Sequence, residues 1–389
     1  MALEDKHKTI ICSPRNNLIV NKHEQYGETM LVIGGCKDSD IRKYIESKDV
    51  PKILVSYDSF SKVVECIDDK SEWRIVVDEF QYLLADSSFK SETELRFMEC
   101  LKQFNYVTYL SATPILDKYI SQIDFFKDIP YYYMTWQEVE KVKVIRQRTA
   151  RPIDAAVEIV NSYRQGIYPC IEKEGVKMYS KECVIFLNSV TNILDIIKKT
   201  GLSPDDVNII VGNSAENDAQ ISKLGDGFIR GRIPLKEEKN KMFTFCTSTA
   251  FAGCDFYSDC ATSFVISDGK RVNTTIDIST DLVQIAGRQR FKENPFRKHL
   301  VFIYNKSSIE KSKEEFEYEL QKKVNLTNAE IESNNLINDA ALREKRIKDV
   351  CRIQKMLKYD ESFIMYDKQN DKFTFNYMAL LSERYSYDL

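Results

Sequence analysis

Short apolar, β-branched runs alternate with amphipathic stretches along most of the chain. Thr9 to Cys12, Lys52 to Val55, Arg74 to Val77 and Val107 to Leu110 each read as a strand, and a helical pattern covers about Ser91 to Phe104. Runs that are apolar on both faces are what a parallel sheet covered by helices demands. A second series follows the aromatic stretch Tyr131-Tyr132-Tyr133. Pro152 opens a predicted helix through Tyr163, since proline suits the first helical turn. Strands are predicted at Cys183 to Leu187, Val207 to Val211, Phe243 to Cys246, Ser263 to Ile266 and Leu300 to Tyr304, with a helix from about Ser279 to Arg290 between the last two.

The alternation gives an α/β fold with two parallel-sheet domains in tandem, residues 1–140 and 141–305, joined near residues 136 to 150. Residues 306–389 differ. From Phe296 onward there is neither glycine nor proline. Residues 306 to 357 are charged and helical in composition, with Val350, Ile353 and Leu357 as an apolar stripe. No heptad persists, so the stretch reads as a docked helical extension, one that sets partner choice or merely covers the second domain. Residues 362 to 378 read as a hairpin turning at Gln369-Asn370-Asp371.

Composition narrows the class. The chain has 389 residues, 43% hydrophobic and 30% charged, enough for two or three globular domains. No apolar run reaches the roughly 18 residues of a membrane span, and the start lacks a secretory signal. With only three histidines, a histidine-rich metal site is not expected. The ten cysteines form no C-x-x-C pair and several sit inside apolar runs, so a reducing, cytoplasmic setting is expected. A net charge of −3 does not advertise a nucleic-acid partner, although a local basic groove is compatible with it.

Four segments carry candidate chemistry, each directly after a strand or at a helix end. Asp78-Glu79 follows the strand Arg74 to Val77 and places two carboxylates at the carboxyl end of a sheet, where open α/β sheets bind ligands. One carboxylate can hold magnesium through water; the next can orient or deprotonate an attacking water. Ser111-Ala112-Thr113 brings hydroxyls to the next strand end. Thr247 to Asp255 forms a loop whose hydroxyls can meet phosphate, whose Gly253 backbone allows close approach, and whose Asp255 can accept from a ribose hydroxyl. Gln284-Ile285-Ala286-Gly287-Arg288-Gln289-Arg290 ends a helix with two arginines. They read either as cations on a helix C-terminus or as a pair aimed at a phosphate, a role worth about 10³–10⁵ in rate of triphosphate hydrolysis.

In this order the segments resemble superfamily 2 helicases and translocases. Asp78-Glu79-Phe80-Gln81 is similar to motif II, Ser111 to Thr113 to motif III, Thr247 to Asp255 to motif V, and Gln284 to Arg290 to motif VI. Ser13 to Leu18 resembles motif Ia, Ser56 to Phe60 motif Ib, and Phe186 to Ser189 motif IV. The Gln-x-x-Gly-Arg-x-Arg spacing is more like herpesvirus origin-binding helicases than DEAD-box RNA helicases. The resemblance implies two RecA-like domains, the first one incomplete, binding ATP and Mg²⁺ in the cleft between them. It implies that Asp78 holds magnesium, Glu79 activates water, and Arg288 and Arg290 reach the γ-phosphate. Gly253, Asp255, Gln284 and Gly287 would border the nucleotide. Gln81, Ser111 and Thr113 would couple that site to the nucleic-acid channel, and Arg15, Ser56, Asn188 and Thr247 would lie along the nucleic-acid backbone.

The family begins with a phosphate loop, G-x-x-x-x-G-K-[ST], and this sequence has none. Gly34-Gly35-Cys36-Lys37-Asp38-Ser39 has the wrong spacing, lies after motif Ia and reads as a plain turn. The resemblance places the loop upstream of Met1, on a strand inside the sheet, whose loss would leave unpaired backbone and a bared seam. A truncated start is favoured over a split or decayed helicase and over a rearranged fold. In each case the chain as written is expected to hydrolyse ATP poorly.

The reading that follows is an ATP-dependent DNA helicase or translocase. The alternatives are a non-catalytic nucleic-acid or partner-binding module, or one part of a split helicase; an unrelated nucleotide-binding α/β enzyme is disfavoured because it has no use for the arginine motif. DNA is preferred over RNA from the motif VI spacing, with a replication or recombination partner through residues 306–389. The lysine-, asparagine- and tyrosine-rich composition suits an AT-rich genome such as a phage, hence host cytoplasm.

Overall fold

The computed structural model describes residues 2–135, 137–173, 175–252, 254–306, 311–355, 362–368 and 370–388. Two compact units divide the chain: Met1–Tyr132 with Glu310–Leu389, and Tyr133–Ile309. It is an α/β protein with two parallel-sheet domains in tandem and a largely helical C-terminal segment.

In the first unit the elements run β1 (Thr9–Ser13), α1 (Asn16–Gln25), β2 (Met30–Val32), α2 (Asp38–Ser47), β3 (Lys52–Ser56), α3 (Phe60–Glu65), β4 (Arg74–Asp78), α4 (Tyr82–Ala85), α5 (Ser87–Leu101), β5 (Tyr106–Leu110) and α6 (Asp117–Ile120). The sheet order is β2-β3-β1-β4-β5, every pair parallel. β1 and β3 are buried along their whole length, which is why they read as unbroken apolar runs. α1 covers one face, packing Leu18 and Ile19 with Ile11 and Leu54. On the other face Phe60, Trp73, Phe97 and Leu101 close the main core.

β5 is the edge of this sheet, and no described strand pairs with its outer side. Tyr106 and Leu110 are 57% and 46% exposed. Register places Thr108 beside Val76 and Leu110 beside Asp78, on the face that α1 covers only as far as β4. An open backbone edge with an uncovered face is a ready seat for one more strand. The turn at Gly34-Gly35 is as expected a turn, with Gly35 at φ 92°. It leads into α2, whose first turn carries Asp38 and Asp40, the wrong charge for a phosphate.

The second unit holds β6 (Lys143–Arg148), α7 (Pro152–Arg164), β7 (Cys170–Lys173), β8 (Val176–Tyr179), β9 (Glu182–Phe186), α8 (Val190–Thr200), β10 (Val207–Ile210), α9 (Ala215–Ile221), β11 (Phe243–Cys246), β12 (Ala261–Ser267), α10 (Asp281–Ala286) and β13 (His299–Tyr304). Six parallel strands take the order β10-β11-β9-β12-β13-β6, and β7-β8 is a separate hairpin. Local signals set the helix ends. Ser189 and Ser214 accept from the N–H groups of Asn192 and Asn217, and Gly201 ends α8 at φ 59°.

Three segments differ from what the sequence pattern predicts. Residues 143–148 of the stretch taken as a joining segment form edge strand β6. Every residue of β6 is exposed and half are Lys or Arg, so no apolar run announces it. The helix expected from Ser279 to Arg290 is shorter, because Gly287 stops it and the residues beyond pair as extended backbone with Phe256. The C-terminal segment joins the fold of the first unit. Its elements α11 (Lys313–Asn335), α12 (Ala340–Lys355), the hairpin β14 (Ile364–Asp367) and β15 (Lys372–Phe375), and α13 (Tyr377–Asp388) belong to the first unit. Met378, Leu381 and Tyr385 of α13 enter the same core as Phe97 and Leu101, because α4 and α5 leave an apolar face for them. Of the expected stripe, Val350 is buried; the Ile353 side chain and Leu357 lie outside the described residues, as does Gln369 of the hairpin turn.

A surface pair in the second unit gives a pH test. Arg297 grips Glu140 with two hydrogen bonds of 2.6 Å, and these, with Lys298 assisting, push the Glu140 carboxyl down to about 2. A depressed folded pKa contributes stability above the ordinary carboxylate range and loses it as pH falls toward 2. Glu140→Gln is therefore expected to lower the urea midpoint at pH 7 and to match the parent near pH 2. Equal midpoints at pH 7 would remove the pair from the stability account.

Candidate functional site

At the carboxyl end of the first sheet, β4 delivers Asp78 and then turns sharply. Glu79 sits at φ 56°, in the left-handed region that a side chain like glutamate rarely adopts. Such a residue costs about 1–3 kcal/mol and persists only where its surroundings hold it. Two contacts fasten the turn: the Phe80 N–H donates to the Leu110 carbonyl at 3.1 Å, and the Tyr57 hydroxyl donates to the Asp78 carbonyl at 2.7 Å. The strained turn buries the Glu79 side chain, where Gln81 Nε2 donates to its carboxylate at 2.6 Å. Asp78 points the other way, on the face shared with Val76, and Lys22 Nζ of α1 meets its Oδ2 at 2.8 Å. The two carboxylates therefore have separate environments, one inward and hydrogen-bonded, one outward and ion-paired.

The other expected residues of this unit are engaged internally. Arg15 lies in a buried ion pair with Asp86, at 2.5 and 3.1 Å, with its guanidinium 4.5 Å from the Tyr82 ring centroid. Ser56 is buried and meets the Ser59 hydroxyl at 3.1 Å. Ser111 Oγ accepts from the Thr113 N–H at 3.0 Å, a turn that holds the loop after β5. Arg15 thus ties the start of α1 to the segment directly following Gln81, and reads as a brace for the carboxylate turn.

In the second unit the loops after β9, β11 and α10 are linked to one another. Asn188 donates to the Asn273 carbonyl at 2.9 Å and accepts from the Ser248 N–H at 3.1 Å, so both ends of its amide are used. Thr247 is buried and shares a hydrogen bond with the Thr249 hydroxyl. Phe256 and Gln289 form a parallel bridge, with Phe256 N–H on the Arg288 carbonyl and Arg290 N–H on the Phe256 carbonyl, each 2.9 Å. The two arginines separate in kind. Arg288 is buried, donating to the Gln284 carbonyl and side chain at 2.7 and 3.0 Å and to the Cys254 carbonyl at 3.3 Å. Arg290 is half exposed and meets Asp255 at 2.9 Å. Only Arg290 is presented outward. A side chain built at Gly287 would make ordinary contact, so its backbone does not demand glycine. Gly253 lies outside the described residues. Burial pushes the neighbouring Cys254 thiol up to about 12, the setting of a structural thiol rather than a reactive one.

Sequence reading missed Lys22, Tyr82 and Asp86. Lys22 shares a helical face with Leu18 and Ile19, a spacing visible in the sequence, but its partner lies 56 positions away. Among the described residues no group of three or more His, Cys, Asp or Glu could hold a metal alone. Magnesium is commonly held by one or two carboxylates together with substrate phosphates. Asp78 fits that arrangement once Lys22 leaves it; Glu79, turned inward, does not add a second ligand. No described helix is long and apolar enough to cross a membrane.

Compared with known proteins, the chain matches no protein-family model and no curated protein. Among solved structures it is similar to Mss116p (NTE and C-tail double deletion) bound to ssRNA and AMP-PNP, at 14% identity over 90% of this chain and 72% of that one, with a TM-score of 0.48. It is also similar to S. cerevisiae Dbp5 bound to RNA and ADP BeF3, at 14% identity over 79% and 73% of the chains, with a TM-score of 0.49.

Proposed function

We propose that the chain is the two-domain body of a superfamily 2 DNA translocase or helicase driven by ATP hydrolysis. The observation that carries this reading is the Asp78-Glu79 turn. A strained, buried glutamate held by Gln81 beside an outward aspartate separates the two tasks that triphosphate hydrolysis needs. Asp78 would hold the magnesium, which neutralises phosphate charge when bound. Glu79 would orient the attacking water and take its proton. Arg290 would supply charge to the phosphate, Arg288 would keep the Arg290 segment and the Cys254 loop in register, and Asp255 would accept from ribose. Arg15, Ser56, Asn188 and Thr247 would act as braces of the loops that track a nucleic-acid backbone.

The phosphate loop that this reading needs would come on a strand seated against the open edge of β5. The alternative, a non-catalytic binding module, is favoured by one feature: Lys22 already satisfies Asp78. The test is ATP hydrolysis with and without DNA or RNA, on the chain alone and with an upstream segment carrying a phosphate loop. DNA-stimulated turnover only with the added segment supports the motor. DNA binding without turnover in both supports the binding module. Loss of both activities would overturn the nucleic-acid reading, and stimulation by RNA alone would overturn the choice of DNA.

A further inference from the structure

Side chains on a helix lean toward its N-terminus. α1 leaves the carboxyl end of β1, so this lean carries the Lys22 ammonium back toward the carboxyl end of the sheet, where β4 ends at Asp78. The resulting pair, 2.8 Å apart, is open to water, with Lys22 33% and Asp78 22% exposed. Beside it, Ser13 ends the neighbouring strand, and its buried hydroxyl has no hydrogen-bond partner among the described residues. A half-solvated ion pair is held weakly and can be exchanged.

We infer that Lys22 is the resident counter-cation of Asp78, and that the pair is a latch opened by a divalent cation arriving together with an anionic phosphate. This rests on the reading of Asp78 given above. The charge balance supports the joint requirement. A bare divalent cation gains the Asp78 carboxylate but leaves an ammonium beside it with no anion. A bare triphosphate gains Lys22 but faces an uncovered Asp78 carboxylate. A metal-bound phosphate supplies both partners at once, carboxylate to metal and ammonium to phosphate oxygen, so neither charge is stranded. Lys22 is thereby assigned a phosphate-binding role from a helix, independent of any glycine-rich loop.

The test is Mn²⁺ binding by electron paramagnetic resonance, with no nucleotide, on the full chain and on Lys22→Met, Lys22→Gln, Asp78→Asn and the Lys22→Met/Asp78→Asn pair. Removing Lys22 is expected to tighten Mn²⁺ binding by about tenfold, the order of one close charge in partly solvated surroundings. The gain should vanish in the double variant. No gain in either folded Lys22 variant, or a gain that survives Asp78→Asn, overturns the latch. A second arm uses a fluorescent ATP analogue with Mn²⁺, with the phosphate-loop segment both absent and present. Weaker binding in Lys22→Gln, restored in Lys22→Arg, supports the phosphate role; unchanged binding overturns it. If no form binds the analogue while the Asp78-dependent Mn²⁺ gain remains, the nucleotide reading and the phosphate half of the latch both fall, and only Lys22 as the counter-cation of Asp78 stands.

Discussion

Glu79→Gln is expected to lower nucleic-acid-stimulated ATP turnover by about 10²–10⁴-fold, the range of a general base. The comparison is made in whichever form turns over ATP, the chain alone or the chain with a phosphate-loop segment added. Glutamine keeps the size of the side chain and its ability to meet Gln81, which stands 2.6 Å from the carboxylate. What it loses is the capacity to take a proton. Nucleotide affinity should change little, since Glu79 is buried and turned away from the outward carboxylate Asp78. Gln81→Ala should give a smaller loss, because it loosens the base without removing it. Undiminished turnover in Glu79→Gln would end the assignment of the base and with it the reading of the turn.

The second large effect concerns stability. Asp86→Ala is expected to cost about 3–5 kcal/mol, the consequence of leaving a buried charge unpaired. Arg15 and Asp86 are 16% and 4% exposed, so water replaces the lost partner poorly. The guanidinium also lies against Tyr82, which fixes its place. Chemical denaturation of the parent and of Asp86→Ala measures the difference. Replacing both partners, as Arg15→Met with Asp86→Leu, should recover most of it. The same variants separate two roles of Arg15. A brace lowers the unfolding midpoint when removed. A residue spent on a nucleic-acid backbone would instead leave the midpoint unchanged and reduce the salt dependence of binding.

Core-forming elements were legible because their physics is local. Strands buried on both faces, such as Lys52–Ser56, must be apolar throughout, and helix ends such as Ser189 and Gly201 carry their own capping chemistry. Edge strands were less legible. Lys143–Arg148 is wholly exposed, so solvent and not packing set its composition. The C-terminal helix was readable as a helix, but its destination was not. Met378, Leu381 and Tyr385 state that an apolar face must be buried and say nothing about which domain buries it.

At the candidate site, residue types and order came from the sequence, which by itself determined two α/β domains, paired carboxylates at a strand end and two arginines past a helix. Tertiary structure decided what each can do. It turned Glu79 inward and Asp78 outward, put Arg288 in the interior and left Arg290 at the surface, and drew Arg15 to Asp86. It also brought Lys22 to Asp78. The physical reason is common to all four. A side chain's role depends on which charges and carbonyls lie within a few ångströms, and several of those neighbours, such as Asp86 for Arg15, Asp255 for Arg290 and Lys22 for Asp78, come from elements distant in the chain.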